Sequence, residues 1–265
     1  MPEKSYRLDL QYHGAPFAGW QEQPGATAVQ GSLKESYSEF LGVFVEVEGS
    51  ARTDAGVHAR HQIALLRAET NVPARAIHLG ILPYQREGMH VFRAVEVANT
   101  WRPRPALSRE YRYFLWKEAD PPLFLRPFTS GTNCELDLAR MVEAAGYLEG
   151  EQDFTSLRAA GCTARHAIRR VERVDVIDRG PYWEFRVIGN AFLRQMVRIM
   201  VGTLVNAGSG KIEPADVGRI LEKKDRALAG PTVPPQGLFL WRIALEEDEE
   251  IAIPPTVWET TPGGN

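Results

Sequence analysis

The sequence predicts an α+β fold of two tandem split β-α-β units, ferredoxin-like in order, forming a mixed, largely antiparallel sheet with a cleft between the halves. Three observations predict it. Segments of period two alternate with segments of helical period, the order β-α-β-β-α-β runs through the first hundred residues, and the second half repeats it. At 265 residues the chain can hold one large or two modest cores. The expected division is 1–100, 101–247 and an acidic, proline-containing tail at 248–265.

The elements follow in order. In "YRLDLQY" (6–12), Tyr6, Leu8, Leu10 and Tyr12 point one way and Arg7, Asp9 and Gln11 the other, as a half-buried strand requires. "ATAVQGSLKESYSEFLG" (26–42) places Val29, Leu33, Tyr37, Phe40 and Leu41 on one helical stripe. "VFVEVEG" and "HQIALLRA" read as strands, and a helix near 72–80 and the strand "HVFRAVEV" close the first unit. In "TWRPRPALSRE" (100–110), two prolines disfavour helix and three arginines face solvent. Beyond it come the strand "EYRYFLWK", the helix "LDLARMVEAAGYL", and the strands "IRRVERVDVI" and "YWEFRVIG" around the turn "DRGP". "AFLRQMVRIMVGTLVNAG" reads as a long apolar helix with Gly208 as its left-handed terminator, and "EPADVGRILEKKD" and "GLFLWRIAL" supply the last helix and strand.

A hydrophobic fraction of 44% and a charged fraction of 25% are those of an ordinary globular protein, with disorder expected only at the tail. No apolar run is long enough to cross a membrane and the start lacks a signal-peptide pattern, so a cytoplasmic protein is expected. Cys134 and Cys162 then read as two reduced thiols. The net charge of −3 conceals an acidic tail, "EDEEIAIPPTVWETTPGGN", and a basic stretch, "ARHAIRRVER" (164–173). A local basic face is therefore possible, a solvated strand face being the plainer reading.

Chemistry concentrates in "EGSARTDAGVHARHQ" (48–62). Asp54, His58 and His61 have metal-ligand spacing only if they share a helical face, and Gly56 and Val57 between two strands argue against a helix. "AGSGK" (207–211) fails the phosphate-loop pattern, since Val205 stands at the first glycine and Ile212 follows the lysine. Neither cysteine has a local signature, and no G-x-S-x-G occurs. What remains is a carboxylate in a tight turn, ordinarily a turn former, whose functional reading needs partners elsewhere. Arg198, on an apolar helix, demands a carboxylate, and Asp54 is a reasonable mate that would stay ionised beside it. Tyr111 offers an aromatic face with a hydroxyl; the structural readings are a buried ion pair and a core aromatic.

"RTDAGVHA" closely resembles the signature of the tRNA pseudouridine synthase A family. The match continues in order through "GWQEQPGATAVQGSL", "SREYRYFLW", "DFTSLRAAGC", "NAFLRQMVRIMVG" and "PPQGLFL", from residue 6 to residue 243. The resemblance implies a pseudouridine-synthase fold from two units that are also RNA-recognition-motif-like. It implies that Asp54 is the nucleophile that isomerises uridine in the tRNA anticodon stem-loop, at positions 38, 39 and 40. By the same resemblance Tyr111 stacks on the target base and takes part in proton transfer, and Arg198 pairs with the aspartate. Arg52 helps displace the flipped base and Leu238 lines the pocket. No cofactor or metal is needed, tRNA is the partner, and a homodimer whose tRNA contacts both subunits is expected.

Extruding a stem uridine requires cations on the backbone. The stretches at 102–112 and 165–173 are the candidates, with Arg109, Arg112 and Arg165 foremost. The sequence departs from the family pattern at Ala51, usually glycine, at Gln195, commonly histidine or asparagine, and in a slightly shorter segment before "SREYRY". A non-catalytic RNA-binding module and a metal-dependent hydrolase using Asp54, His58 and His61 are the competing readings.

Overall fold

The computed structural model describes residues 1–104, 106–246 and 251–260. Two compact units divide the chain, one formed by Met1–Leu107 with Leu240 onward, the other by Ser108–Phe239. In the first, the order is β1 (Glu3–Tyr12), α1 (Val29–Leu41), β2 (Val45–Gly49), β3 (His58–Glu69), α2 (Ala74–Gly80) and β4 (Met89–Val97). The central strand β1 pairs antiparallel with β3, Asp9 facing Ile63, and with β4, Asp9 facing Arg93; β2 adds antiparallel to β3.

The helical stripe of α1 lays Val29, Leu33 and Tyr37, all at 0% exposure, into the core with Tyr6, Leu8 and Leu10 of β1. The half-buried strand expected for 6–12 is buried on both faces, because Arg7 and Asp9 also lie below the surface. Asp9 is sustained there by Arg7 Nη2 at 2.9 Å, His61 Nε2 at 3.0 Å and Arg93 Nη1 at 3.0 Å. Burial raises its pKa, but the contacts with His61 and Arg7 outweigh that and hold it below the usual carboxylate range.

The second unit runs β5 (Ser108–Trp116), β6 (Ser130–Gly131), α3 (Leu138–Gly146), β7 (Gly150–Asp153), β8 (Ile168–Asp178), β9 (Tyr182–Gly189), α4 (Met196–Gly208) and α5 (Asp216–Lys223). β9 pairs antiparallel with β5 and β8, and β7 with β8; the two-residue β6 is parallel to β5. The helix expected from 191 starts at Met196. Gln195 holds φ +59°, a left-handed residue that no α-helix continues through, so 191–195 form the approach to the helix. Gly208 is still helical and packs against Met141, and the left-handed residue comes at Gly210.

The last strand, β10 (Leu238–Ala244), lies beside β3. The tail at 248–265, expected to lack order, is described over 251–260; residues 248–250 and 261–265 lie outside the described residues. It forms a short helix, α6 (Val257–Thr260), with Trp258 at 2% exposure. Gln11 donates to the Pro254 carbonyl at 2.7 Å, and Arg60 grips Glu259 through Nε at 2.8 Å while stacking over Trp241.

Candidate active site

Asp54 sits half-buried in the loop between β2 and β3. The loop turns back on itself, the Val57 amide donating to the Asp54 carbonyl, and the segment 14–20 closes over it. Trp20 N–H donates to the Thr53 carbonyl at 3.1 Å and Gly56 N–H to the Phe17 carbonyl at 3.3 Å. The approach is so close that glycine is required at two positions. A Cβ on Gly14 would lie 2.3 Å from the Val57 oxygen, and one on Gly19, at φ +104°, 2.6 Å from the Thr53 oxygen. "HG" and "GW" in the sequence are thus the mould of the aspartate loop.

Arg52 is exposed at the mouth of this loop. Arg104, from the proline-rich segment, donates through Nε to the Ser50 carbonyl at 2.9 Å. Burial and then the neighbouring Arg52 lower its pKa, so two cations stand together beside the segment that leads from Ser50 into the loop. The sequence marked Arg104 as solvent-facing and, within the 102–112 stretch, as a candidate for the RNA backbone rather than for the aspartate loop.

Tyr111, Arg198 and Leu238, all in the second unit, are buried, at 6%, 9% and 4% exposure. Tyr111 meets the edge of Phe192, with ring centroids 5.2 Å apart. Arg198 donates through Nε to the Val233 carbonyl at 2.8 Å. Beside it Tyr113 donates to the Pro234 carbonyl and shares a hydrogen bond with Ser130; burial drives its phenol pKa upward despite that bond and the Arg198 charge. The segment 233–238 is thereby tied to β5 and α4, which fixes the entry to Leu238.

The cations expected on a phosphate surface fall into two sets. Arg112 pairs with Glu110 at 2.7 Å and Glu184 at 3.0 Å, and Arg173 with Asp175 at 2.8 Å, so their charge is locally matched. Arg109 donates to the Asn190 carbonyl. Arg158, Arg165, Arg169, Arg170 and Arg194 have no carboxylate partner among the described residues; Arg158 and Arg169 hold the backbone carbonyls of Ala164, His166 and Ile168, leading into β8. His58 and His61, the other members of the metal spacing, are placed differently. His58 Nδ1 accepts from the Gly14 amide at 3.0 Å and His61 bonds Asp9. Among the described residues no group of three or more His, Cys, Asp or Glu is placed to hold a metal ion, and both cysteines are free. No helix among them is long and apolar enough to cross a membrane.

Comparison with known proteins identifies the chain's family. Residues 144–244 match the family model described as tRNA pseudouridine synthase. The tRNA pseudouridine synthase A of Geobacter sulfurreducens is 39% identical over 241 residues, 91% of this chain and 99% of that protein. That of Geobacter sp. is 37% identical over 92% of this chain and 100% of its own length, and that of Myxococcus xanthus 36% identical over 97% and 95%. With such identity end to end, the chain belongs to the tRNA pseudouridine synthase A family.

Proposed function

We propose that this protein is an isomerase that converts uridine to pseudouridine in the tRNA anticodon stem-loop, at positions 38, 39 and 40, in the cytoplasm and as a homodimer. The observation that carries the reading is the Asp54 loop: a family signature, half-buried, on a backbone that Gly14 and Gly19 approach too closely for any side chain.

Asp54 is the nucleophile. The bond from ribose C1′ to uracil N1 breaks, the uracil turns, and C5 bonds to C1′; the C5 proton leaves as N1 gains one. No electrons are gained or lost, so the chain's own acid, base and charged groups suffice. Arg198 is the cation that favours the ionised carboxylate. Tyr111, held edge-on by Phe192, presents its ring to the base and its hydroxyl to the migrating proton. Leu238 lines the pocket, and Arg52 fills the space left by the extruded nucleotide. Arg109, Arg112 and Arg165 hold the RNA backbone, with Arg165 best supported because no carboxylate among the described residues neutralises it.

Pseudouridine mapping by carbodiimide-dependent reverse-transcription stops, on unmodified tRNA with a chelator present, tests this. Stops at the anticodon-stem uridines with the wild type and none with Asp54→Ala are expected. Binding without stops in the wild type would leave an RNA-binding module.

A further inference from the structure

The Asp54 loop is gripped from below by side chains that lie outside the reacting set. Gln62 of β3 is fully buried, at 0% exposure. Its carboxamide reads both polar groups of one residue: Ala51 N–H donates to Oε1 at 3.2 Å, and Nε2 donates to the Ala51 carbonyl at 2.8 Å. Oε1 also accepts from Ile63 N–H at 3.2 Å. Tyr12 stands beside it, its hydroxyl 3.5 Å from Nε2 and 2.9 Å from Thr53 Oγ1. At the far end of the loop the His58 imidazole, 1% exposed, accepts the Gly14 amide through Nδ1. Residues 51, 53 and 58 are therefore tied, leaving Asp54 on a short span between fixed points.

Building on the assignment of Asp54 as nucleophile, we infer that Gln62 and His58 are positioning residues for the isomerisation, clamping the two ends of the Asp54 loop in the geometry of attack. A carboxamide is the side chain that can satisfy an amide N–H and its own residue's carbonyl together, which is the pairing a strand neighbour would make. It thus replaces a β-ladder where the chain must leave the sheet. Ala51 in place of the usual glycine fits the same logic, since with its backbone paired the residue needs no added conformational freedom. The loop is pre-ordered before RNA arrives, so the ordering cost is not drawn from binding.

The test is single-turnover kinetics on unmodified tRNA for Gln62→Leu, His58→Leu, His58→Asn and Asp54→Asn, with tRNA Kd and thermal unfolding measured alongside. Gln62→Leu keeps the volume but loses both polar contacts. It is expected to lower the saturating rate by about 10- to 100-fold, the scale of a nucleophile displaced by about 1 Å, with Kd within about threefold of wild type. His58→Asn, whose Oδ1 falls near the place of Nδ1, should retain most of the rate that His58→Leu loses. A rate loss in Gln62→Leu or His58→Leu below threefold, or one matched by an equal loss of tRNA affinity, overturns the inference while Asp54→Asn inactivity leaves the nucleophile intact. Should Gln62→Leu fail to fold, the contrast between His58→Asn and His58→Leu decides. An active Asp54→Asn overturns both readings.

Discussion

Asp9 shows how one residue governs the first unit. Two guanidinium groups and the His61 imidazole converge on a carboxylate that is fully buried, and removing its charge would strand them. Asp9→Asn is expected to destabilise the protein by about 3 kcal/mol in urea unfolding at neutral pH. Because its folded pKa is depressed, the stabilisation is present above the ordinary carboxylate value and is lost as pH falls from there through the depressed one. Asp54 was legible at this scale, since its flanking residues form a recognisable string. Gln62 was not, because a glutamine inside a strand pattern carries no signal until its partner backbone is known. The histidine spacing misleads for a related reason: on a strand, residues three apart face opposite sides, so His58 turns to Gly14 and His61 to Asp9.

Elements were legible where periodicity is strong and obscure where a single dihedral decides. The strands and the α1 stripe follow from apolar spacing, whereas the start of α4 depends on the left-handed Gln195, which apolar composition cannot show. A β-branched residue tolerates that conformation poorly, so Gln195→Val should cost about 1–2 kcal/mol in thermal or urea unfolding, and Gln195→Asn much less. The tail misled in the opposite sense, as its acidic and proline-rich composition hides one tryptophan and one glutamate that dock. Trp258→Ala should therefore destabilise by about 3 kcal/mol. Burial opposes ionisation of Glu259, but Arg60 and the Thr256 amide hold its pKa below the usual value. The docking is thus favoured above that value and weakens as pH falls through the depressed one; hydrogen exchange at 251–260 against pH reads this directly.

For the whole molecule, net charge is a poor guide to partners. A chain of net charge −3 carries five arginines, at 158, 165, 169, 170 and 194, that no carboxylate among the described residues neutralises. If they meet phosphates, Arg165→Ala and Arg169→Ala should each weaken tRNA binding to a similar degree across sequences and reduce the slope of log affinity against log salt by about 1. Sedimentation velocity should give twice the chain mass if the homodimer proposal holds.

The division of the chain has a bearing on its synthesis. The second unit is one uninterrupted stretch, while the first unit waits for Leu240–Ala244, the greater part of β10, made only after the second has been translated. As β10 is the neighbour of β3, the sheet that carries the aspartate loop is finished last. The usual order of birth on the ribosome, N-terminal part first, is inverted here, and a nascent chain stalled before residue 238 would carry the signature residues without the strand that completes their sheet.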